Sequence, residues 1–250
     1  LLPFIVSAIA TTSLVVVLNT QLSIGTTKSP KLGYFLSPQH GFWKNAEKVN
    51  TNFDASIIAD ELKGNVDVYL DDRLVPHIYA DNDQDAYFVQ GYLHAKFRLW
   101  QMDFQTRFAA GRISEVVGAK AIEVDKYQRR MGMMYGAENS LQGMMADPQS
   151  REMLLAYTEG INDYIKSLDK RKLPVEYKLL NFKPEPWTPI KCALLLKQMS
   201  AVLAMGSDEF YMTNVLNKYG PEITKDLFPD YPFKEDPIIP VGTKWDFKPL

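Results

Sequence analysis

Cysteine and histidine are scarce in this sequence. One cysteine and three histidines occur in 250 residues, so an internal disulfide is excluded, and no histidine or cysteine pair stands at zinc-ligand spacing. Cys192 lies in the apolar run CALLLKQM, which is typical of a small buried hydrophobic residue. His77 follows Pro76 in a predicted strand and His94 lies on a polar helical stripe, so we expect structural hydrogen bonds from both.

Motifs of a self-contained enzyme are also missing. No serine stands in a G-x-S-x-G turn, and no glycine-rich phosphate loop is present. Taken alone, the residues indicate an exported helical domain with a β-hairpin, and they reveal no reaction.

Strong charge of either sign is absent. The formal net charge is -2, which gives no general attraction to nucleic acid, so such binding would need a local basic patch. The longest basic cluster is Lys170-Arg171-Lys172, and we interpret it as a helix C-terminus whose charges complement the helix dipole. The sequence therefore predicts no nucleic-acid partner.

Residues 1–27 carry no charge at all, and residues 1–18 form a mostly apolar run. This pattern predicts a signal peptide or a membrane anchor. Ala8-Ile9-Ala10 fits a small-x-small cleavage pattern, but the apolar run continues beyond it and leaves the cleavage site open. A helix buried in a protein groove is the third alternative, because the run is borderline between a membrane span and a core helix.

The rest of the chain shows one hairpin signal and several helix signals. Alternation over residues 65–70 and a second strand at 75–79 predict a β-hairpin with one buried face. The helices predicted by apolar periodicity, caps and prolines cover 52–63, a long amphipathic segment from Asp81 to Gly111, 147–168, 190–205 and 209–219.

In the long helix we expect an apolar stripe beside a polar one. Leu93, Phe97, Trp100, Phe104 and Phe108 recur at helical spacing and form the predicted apolar stripe. The proline-rich segment FKPEPWTP predicts a rigid connector, because its prolines cannot continue a helix.

The acidic stretch Asp81-Asn82-Asp83-Gln84-Asp85 resembles the opening of a calcium loop, because alternate carboxylates can converge on a hard cation. The rest of that motif is missing, since Ala86 stands where glycine is needed and Tyr92 where glutamate is needed. We therefore interpret the stretch as carboxylates at a helix N-terminus.

Four sequence elements occur in a fixed order between residues 71 and 118. They are D-x-x-x-V-P-H-I-x-A, A-Y-F-x-Q-G-Y-x-H-A, R-L-W-Q-M-D and G-R-x-S-E-V-x-G, and the segments LPVEYK and PEPWTP follow further along the chain. This series resembles the N-terminal region of the penicillin acylase (penicillin amidase) family of N-terminal-nucleophile hydrolases. The resemblance covers most of the chain from about residue 30 to Gly220.

The resemblance implies a division of labour between two chains. Members of this family are made as a precursor that cuts itself into a smaller α chain and a larger β chain, whose first residue, usually serine, is the nucleophile. This sequence resembles the α chain, which accounts for the missing nucleophile. The implied fold class is α+β: a mostly helical α subunit with a β-hairpin, contributing to a four-layer αββα core that the β chain completes. In this interpretation residues 28–250 form the α-chain domain and the aromatic helix is a scaffold for packing.

The resemblance also implies candidate site residues. In penicillin acylases the helix after the P-x-P-W-x-P connector lines the acyl pocket, which places Met199, Val202 and Leu203 at the substrate. A downstream glutamate helps to bind calcium shared with the β chain, which places Glu209 at the metal. Penicillin G acylases carry Arg-Phe where Val202-Leu203 stands, and losing the guanidinium predicts an apolar acyl group and makes penicillin a doubtful natural substrate.

Two functional hypotheses follow. The first is the α subunit of a periplasmic amide hydrolase, exported or anchored through residues 1–27, acting on N-acyl homoserine lactones or other acyl amides. The second is a noncatalytic exported scaffold or calcium-binding domain that has kept the architecture of the family.

Overall fold

The computed structural model describes residues 1–24, 27–46, 53–204, 208–228, 239 and 242–244. Helices dominate the described residues, and two small antiparallel sheets accompany them. The elements are, in chain order, α1 (Leu2–Asn19), β1 (Ser23–Ile24), β2 (Thr27–Lys28), α2 (Leu32–Phe35), a 3-10 turn (Phe42–Asn45), β3 (Val66–Leu70), β4 (Pro76–Ala80), α3 (Asp83–Ala109), α4 (Ser114–Val117), a 3-10 turn (Ala119–Ala121), α5 (Ile122–Arg130), α6 (Met133–Ala146), α7 (Pro148–Ser167), α8 (Val175–Leu179), α9 (Pro189–Leu203) and α10 (Asp208–Leu227).

The chain divides into two compact units, Leu1–Val202 and Leu203–Leu250. In the first unit the core lies between α3 and α7, and residues around α8 and the proline-rich connector complete it. The main core cluster is Ala95, Leu99, Met102, Ile161, Leu173, Tyr177 and Trp187. Within the second unit no described residue is buried.

The predicted hairpin is confirmed. β3 and β4 pair antiparallel, with Val68 opposite Ile78, and their side chains alternate between half-buried and exposed positions. Val66, Val68 and Leu70 form the inner face, which is half-buried rather than fully buried. The alternation of apolar and polar residues therefore predicted the pairing correctly.

Helix α3 begins one residue later than predicted. Asn82, not Asp81, is the N-cap, and its side-chain oxygen accepts a hydrogen bond from the backbone N–H of Asp85 at 2.9 Å. Asp85 is buried and accepts bonds from the backbone N–H groups of Lys63 and Gly64 at 3.0 and 2.9 Å. The acidic stretch therefore caps a helix and fastens the preceding loop, as the helix-terminus interpretation predicted.

The predicted apolar stripe of α3 is only partly correct. Leu93 is buried, but Phe97 is exposed, and Trp100, Phe104 and Phe108 are half-buried. The buried stripe instead runs through Ala95, Leu99, Met102, Thr106 and Ala109. The helix is also bent at Arg98, whose backbone leaves the helical region with φ -140° and ψ 18°. Gly111 follows the helix with φ +65°, as expected of a terminating glycine.

Of two further helix predictions, one is confirmed and one is wrong. α7 has the predicted start, with Asp147 as N-cap and proline in the first turn. The helix predicted over 52–63 is wrong, since residues 53–63 form no helix and residue 52 lies outside the described residues. The irregular tail predicted from Phe228 onward also lies mostly outside them.

Candidate functional site

Helix α9 changes character along its length. Its N-terminal half is packed in the core through Ala193 and Leu194, and its C-terminal half is exposed. Met199, Val202 and Leu203 have exposed fractions of 56%, 66% and 72%. Large apolar side chains clustered at such exposure mark a surface that another molecule covers. The three residues predicted for the acyl pocket thus share the projecting end of one helix.

Reciprocal hydrogen bonds fix the connector before α9 to α7. The side-chain oxygen of Asn162 accepts from the backbone N–H of Trp187 at 2.7 Å, and its side-chain nitrogen donates to the carbonyl of Trp187 at 2.9 Å. The indole of Trp187 is buried, and its Nε1–H donates to the sulfur of Cys192 at 3.3 Å. The connector that precedes α9 is therefore rigid, as the prolines of the connector predicted.

A buried charge cluster joins α3 to this connector. The guanidinium of Arg107, which is 3% exposed, contacts three carboxylates: Asp103 at 3.2 Å, Glu115 at 2.9 Å and Glu185 at 3.0 Å. The same guanidinium lies 4.5 Å from the ring centroid of Phe182. Ionised groups this deeply buried need partners, because an unpaired charge away from water is costly.

Glu185 extends the cluster to the first turn of α9. Its carboxylate also contacts Arg112 at 3.1 Å and Lys191 at 3.2 Å, and Lys191 donates to the carbonyl of Pro186 at 3.1 Å. Burial raises the pKa of Glu185, but these cations outweigh it, so the pKa lies below its ordinary value. Burial lowers the pKa of Lys191 in spite of Glu185. The charge pairs therefore fix the orientation in which α9 leaves the core.

Tyr177 closes the cluster on the other side. Its hydroxyl donates to Asp103 at 3.0 Å, and both side chains are buried. Burial raises the pKa of Asp103 even though Arg107 and Lys191 oppose the shift. Burial and the Asp103 carboxylate raise the pKa of Tyr177. This arrangement has the features of a structural network, since each charged group in it has an opposite charge in contact.

Sequence reasoning missed Asp103, Arg107, Glu185 and Lys191. Asp103 and Arg107 stand four residues apart beside Leu99 and Met102, but this spacing also occurs in surface ion pairs and does not by itself indicate burial. Charges on the buried stripe of a helix require partners in the interior.

Glu209 lies in the first turn of α10, in the second unit, and its side chain is exposed. In the part of the chain that the structure describes, no group of three or more acidic, histidine or cysteine side chains could hold a metal ion. A calcium ion usually takes six to eight oxygen ligands. Glu209 alone cannot form such a shell, so its assignment to calcium stays a prediction.

The side chains of His94, His77 and Cys192 have partners within the chain. Nδ1 of His94 lies 2.9 Å from the hydroxyl of Tyr157, which joins α3 to α7, and burial lowers the pKa of the imidazole. Nε2 of His77 lies 3.6 Å from a carboxylate oxygen of Asp71 across the hairpin turn. Burial raises the pKa of the Cys192 thiol, which keeps it protonated and unreactive.

Helix α1 is long and apolar enough to cross a membrane, and none of its residues is buried. The described part of this chain forms no groove that buries α1. Both a signal sequence and an anchor are compatible with these properties.

Comparison with known proteins identifies relatives of one kind. The family model described as penicillin amidase matches residues 65–242. The chain is 37% identical over 142 residues to the penicillin acylase 2 proenzyme of Pseudomonas sp. (strain SE83), covering 57% of this chain and 18% of the relative. It is 33% identical over 181 residues to the acyl-homoserine lactone acylase QuiP of Pseudomonas syringae pv. tomato, covering 71% and 22%. The chain thus spans about a fifth of the length of these relatives.

A solved structure extends the likeness to the fold. The chain superposes on a chain of the thermostable penicillin G acylase from Alcaligenes faecalis with a TM-score of 0.56 and 25% identity. The superposition covers 72% of this chain and 97% of the solved one.

Proposed function

The chain belongs to the penicillin amidase family, and from this membership we propose that it is the α chain of an amide hydrolase whose nucleophile is the N-terminal serine of a β chain. Relatives named as penicillin acylases and acyl-homoserine lactone acylases support an activity on acyl amides. One relative is named a proenzyme, and this chain covers nearly the whole of one solved penicillin acylase chain but about a fifth of the curated relatives. That contrast supports a division into two chains.

The proposed reaction is acyl transfer to a serine and then to water. The α-amino group of an N-terminal residue has an ordinary pKa of about 7.7–8.0, so it can accept the hydroxyl proton near neutral pH. The alkoxide attacks the amide carbonyl, the amine leaves with a proton, and water releases the carboxylic acid from the acyl-enzyme. Hydrogen-bond donors of the β chain stabilise the oxyanion.

The part of this chain in the reaction is to bind the acyl group. We assign Met199, Val202 and Leu203 to the wall of the acyl pocket. Their exposure at the C-terminal end of α9 is the observation that carries this assignment. An apolar wall binds an apolar acyl chain and excludes water from the reacting bond. Aliphatic acyl amides, including N-acyl homoserine lactones, are therefore the proposed substrates.

Glu209 is the proposed calcium ligand from this chain. Its exposed carboxylate supplies one hard oxygen ligand, and the β chain would supply others. When bound, the ion would link the two chains and have a structural role. In the assembled protein, Glu209→Gln should lower the calcium content, as measured by elemental mass spectrometry. It should also lower the melting temperature. Unchanged calcium content would remove Glu209 from the site.

We place the protein in the periplasm, exported through residues 1–27 as a cleaved signal or a retained anchor. The properties of α1 support this location. N-terminal sequencing of the protein from fractionated cells distinguishes the two fates.

A single experiment tests the catalytic proposal. The complete precursor is expressed, the first residue of its larger product is sequenced, and the protein is assayed on phenylacetyl, short-chain and long-chain acyl amides. We expect a large chain that begins with serine and a preference for aliphatic acyl groups. A large chain whose first residue is blocked or inert would instead support the noncatalytic scaffold.

A double substitution tests the assignment of the acyl pocket. Val202→Arg combined with Leu203→Phe should lower kcat/KM for long aliphatic amides relative to phenylacetyl amides by on the order of tenfold, because apolar pocket contacts discriminate at that scale. Val124→Arg, on the exposed surface of α5, is the matched control and should leave the ratio unchanged. A strong preference of the native protein for phenylacetyl amides would remove the assignment.

A further inference from the structure

Two segments far apart in the sequence form one basic surface. The first is residues 28–46, which precede the region that the family model matches, and the second is the turn 168–172 after α7. Lys170-Arg171-Lys172 was predicted to form a helix C-terminus, but it lies in this turn, beyond the end of α7 at Ser167. We call the two segments together the basic-aromatic surface. Their basic residues are Lys28, Lys31, Lys44, Lys170, Arg171 and Lys172, and Tyr34 and Trp43 are among their aromatic residues.

A buried lysine holds the two segments together. The ammonium of Lys178, which is 2% exposed, donates to the carbonyl of Gly41 at 3.2 Å, the side-chain oxygen of Asn45 at 2.6 Å and the carbonyl of Arg171 at 2.9 Å. The side chain of Asn45 also donates to the carbonyl of Leu173 at 2.9 Å. These four bonds make the two segments one rigid surface.

The surface carries a concentrated positive charge. Six basic residues and one acidic residue, Asp169, occur in residues 28–46 and 168–172, which gives a net charge of +5 on a chain whose total is -2. Asp169 is paired with Arg171 at 2.8 Å. The five lysines are exposed, and none of them forms an ion pair within the described ranges of the chain.

Aromatic and apolar groups accompany these charges. Trp43 is 58% exposed, and the ammonium of Lys170 lies 5.9 Å from the ring centroid of Tyr34. Helix α1 packs against α2, so that a Cβ atom added to Gly33 would lie 3.2 Å from the side chain of Asn19 at the end of α1. The exposed apolar helix therefore ends beside the charged surface.

From this juxtaposition we infer that the basic-aromatic surface binds the anionic headgroups of a lipid bilayer. The lysines attract acidic phospholipids, and a half-exposed tryptophan is suited to the level of the headgroups. α1 is about 27 Å long at 1.5 Å per residue, close to the thickness of the hydrocarbon layer. An apolar helix that ends beside exposed lysines and tryptophan matches the hydrocarbon layer and the headgroup layer of a membrane. A nucleic acid has no apolar layer that would take up α1.

Vesicle binding of the assembled full-length protein tests this inference. Its partitioning is measured on vesicles of phosphatidylcholine alone and of phosphatidylcholine with 30% phosphatidylglycerol, at low and high salt. The variant Lys28→Glu/Lys31→Glu/Lys44→Glu keeps α1, so binding to neutral vesicles should persist. At about fivefold per basic residue, its binding to anionic vesicles should fall by on the order of a hundredfold.

The control reverses the same number of charges elsewhere. Lys120→Glu/Lys126→Glu/Arg130→Glu changes exposed residues in and just before α5 and should retain the preference for anionic vesicles. Equal binding of the native protein to both vesicle types would overturn the inference, and so would an unchanged preference in the first variant. Tighter binding to duplex DNA than to anionic vesicles would also overturn it. Amide hydrolysis is assayed separately, because vesicle binding does not depend on the proposed reaction.

Discussion

Arg107 is one of two described residues that contact three oppositely charged side chains, and Glu185 is the other. The guanidinium of Arg107 has contacts with three carboxylates from α3, α4 and the connector, and it is almost fully buried. Replacing a complete buried cluster by apolar residues can be neutral, whereas removing one member leaves uncompensated charge in the interior.

Arg107→Met should therefore lower the free energy of unfolding by about 3–5 kcal/mol, because Asp103 would remain buried beside fewer cations. Urea denaturation of the assembled protein measures the change. Arg171→Met is the control, since Arg171 pairs with Asp169 at the surface, and we expect its denaturation midpoint to match that of the native protein. Equal effects of the two substitutions would show that burial of the cluster is unimportant.

Asp125 supplies a pH-dependent contribution to stability. Burial disfavours its ionised form, but the hydroxyl and backbone N–H of Ser114 and the backbone N–H of Ile113 outweigh burial, so its pKa lies below the ordinary value. A carboxylate with a lowered folded pKa stabilises the folded state above its unfolded pKa of about 3.9, and this contribution is lost as the pH falls through the folded pKa.

The denaturation midpoint should therefore decrease as the pH is lowered below about 4. In Asp125→Asn the midpoint at neutral pH should be lower and its acid dependence weaker, because the variant has no proton to bind at this site. Parallel pH profiles for the native protein and the variant would contradict this role.

Single residues limit what the sequence could predict about the site. The C-terminal end of α9 was identified as a candidate site through the family resemblance. The buried pair of Asp103 and Arg107 was not identified, because a spacing of four is equally common for surface ion pairs. Their burial depends on Tyr177, Glu185 and other groups distant in the chain. No local pattern contains that information.

Helices α3 and α7 approach each other closely at two glycines. A Cβ atom on Gly160 would lie 1.9 Å from the carbonyl oxygen of Phe88, and one on Gly91 would lie 2.1 Å from that of Tyr157. Glycine at both positions therefore lets the two backbones approach within contact distance.

Gly160→Ala should lower the free energy of unfolding by about 1–3 kcal/mol, because the added methyl group must separate the helices. Gly143→Ala in α6 should do the opposite and raise it by about 0.8–1 kcal/mol, since nothing lies near that position and alanine favours the helix. Thermal denaturation of both variants compares them directly. No loss of stability in Gly160→Ala would show that the crossing tolerates a side chain.

Local signals decided which elements the sequence could predict. α7 was predicted well because Asp147 and Pro148 specify its start within a few residues. The helix predicted over 52–63 was wrong, because the N–H groups of Lys63 and Gly64 bond to Asp85, and Ile58 is 94% exposed with no helical face to bury. The bend at Arg98 has neither proline nor glycine beside it and could not be predicted.

For the whole molecule, the described residues of the second unit include none that is buried. α10 is kinked at Gly220, with φ +80°, and its apolar side chains are exposed, including Phe210 and Tyr211. A helix without packing partners is only marginally stable in water. We therefore expect α10 to gain tertiary support from the rest of the assembled protein.

Amide hydrogen exchange tests this expectation. Peptides covering α10 should exchange within seconds when this chain is produced alone and should be protected by at least about a hundredfold in the processed full-length protein, since packing suppresses local opening. Peptides covering α7 serve as the internal reference and should be protected in both. Slow exchange of α10 in the lone chain would show that it is stable without a partner.

At this scale the sequence identified the family from an ordered series of motifs, and the comparisons confirmed it. The helical content and the hairpin followed from periodicity. The pairing of residues 28–46 with the turn after α7 could not be predicted, because it depends on the buried amine of Lys178.

Among the described residues the hairpin of β3 and β4 is a sheet of two strands, so each strand has an outer edge that pairs with no described strand. An unpaired strand edge is a template for pairing with another chain. Its correct neighbour therefore competes with other copies of the same hairpin. Making this polypeptide in excess over the rest of its precursor should consequently yield ordered aggregates that bind thioflavin T, and supplying both parts from one transcript should suppress them.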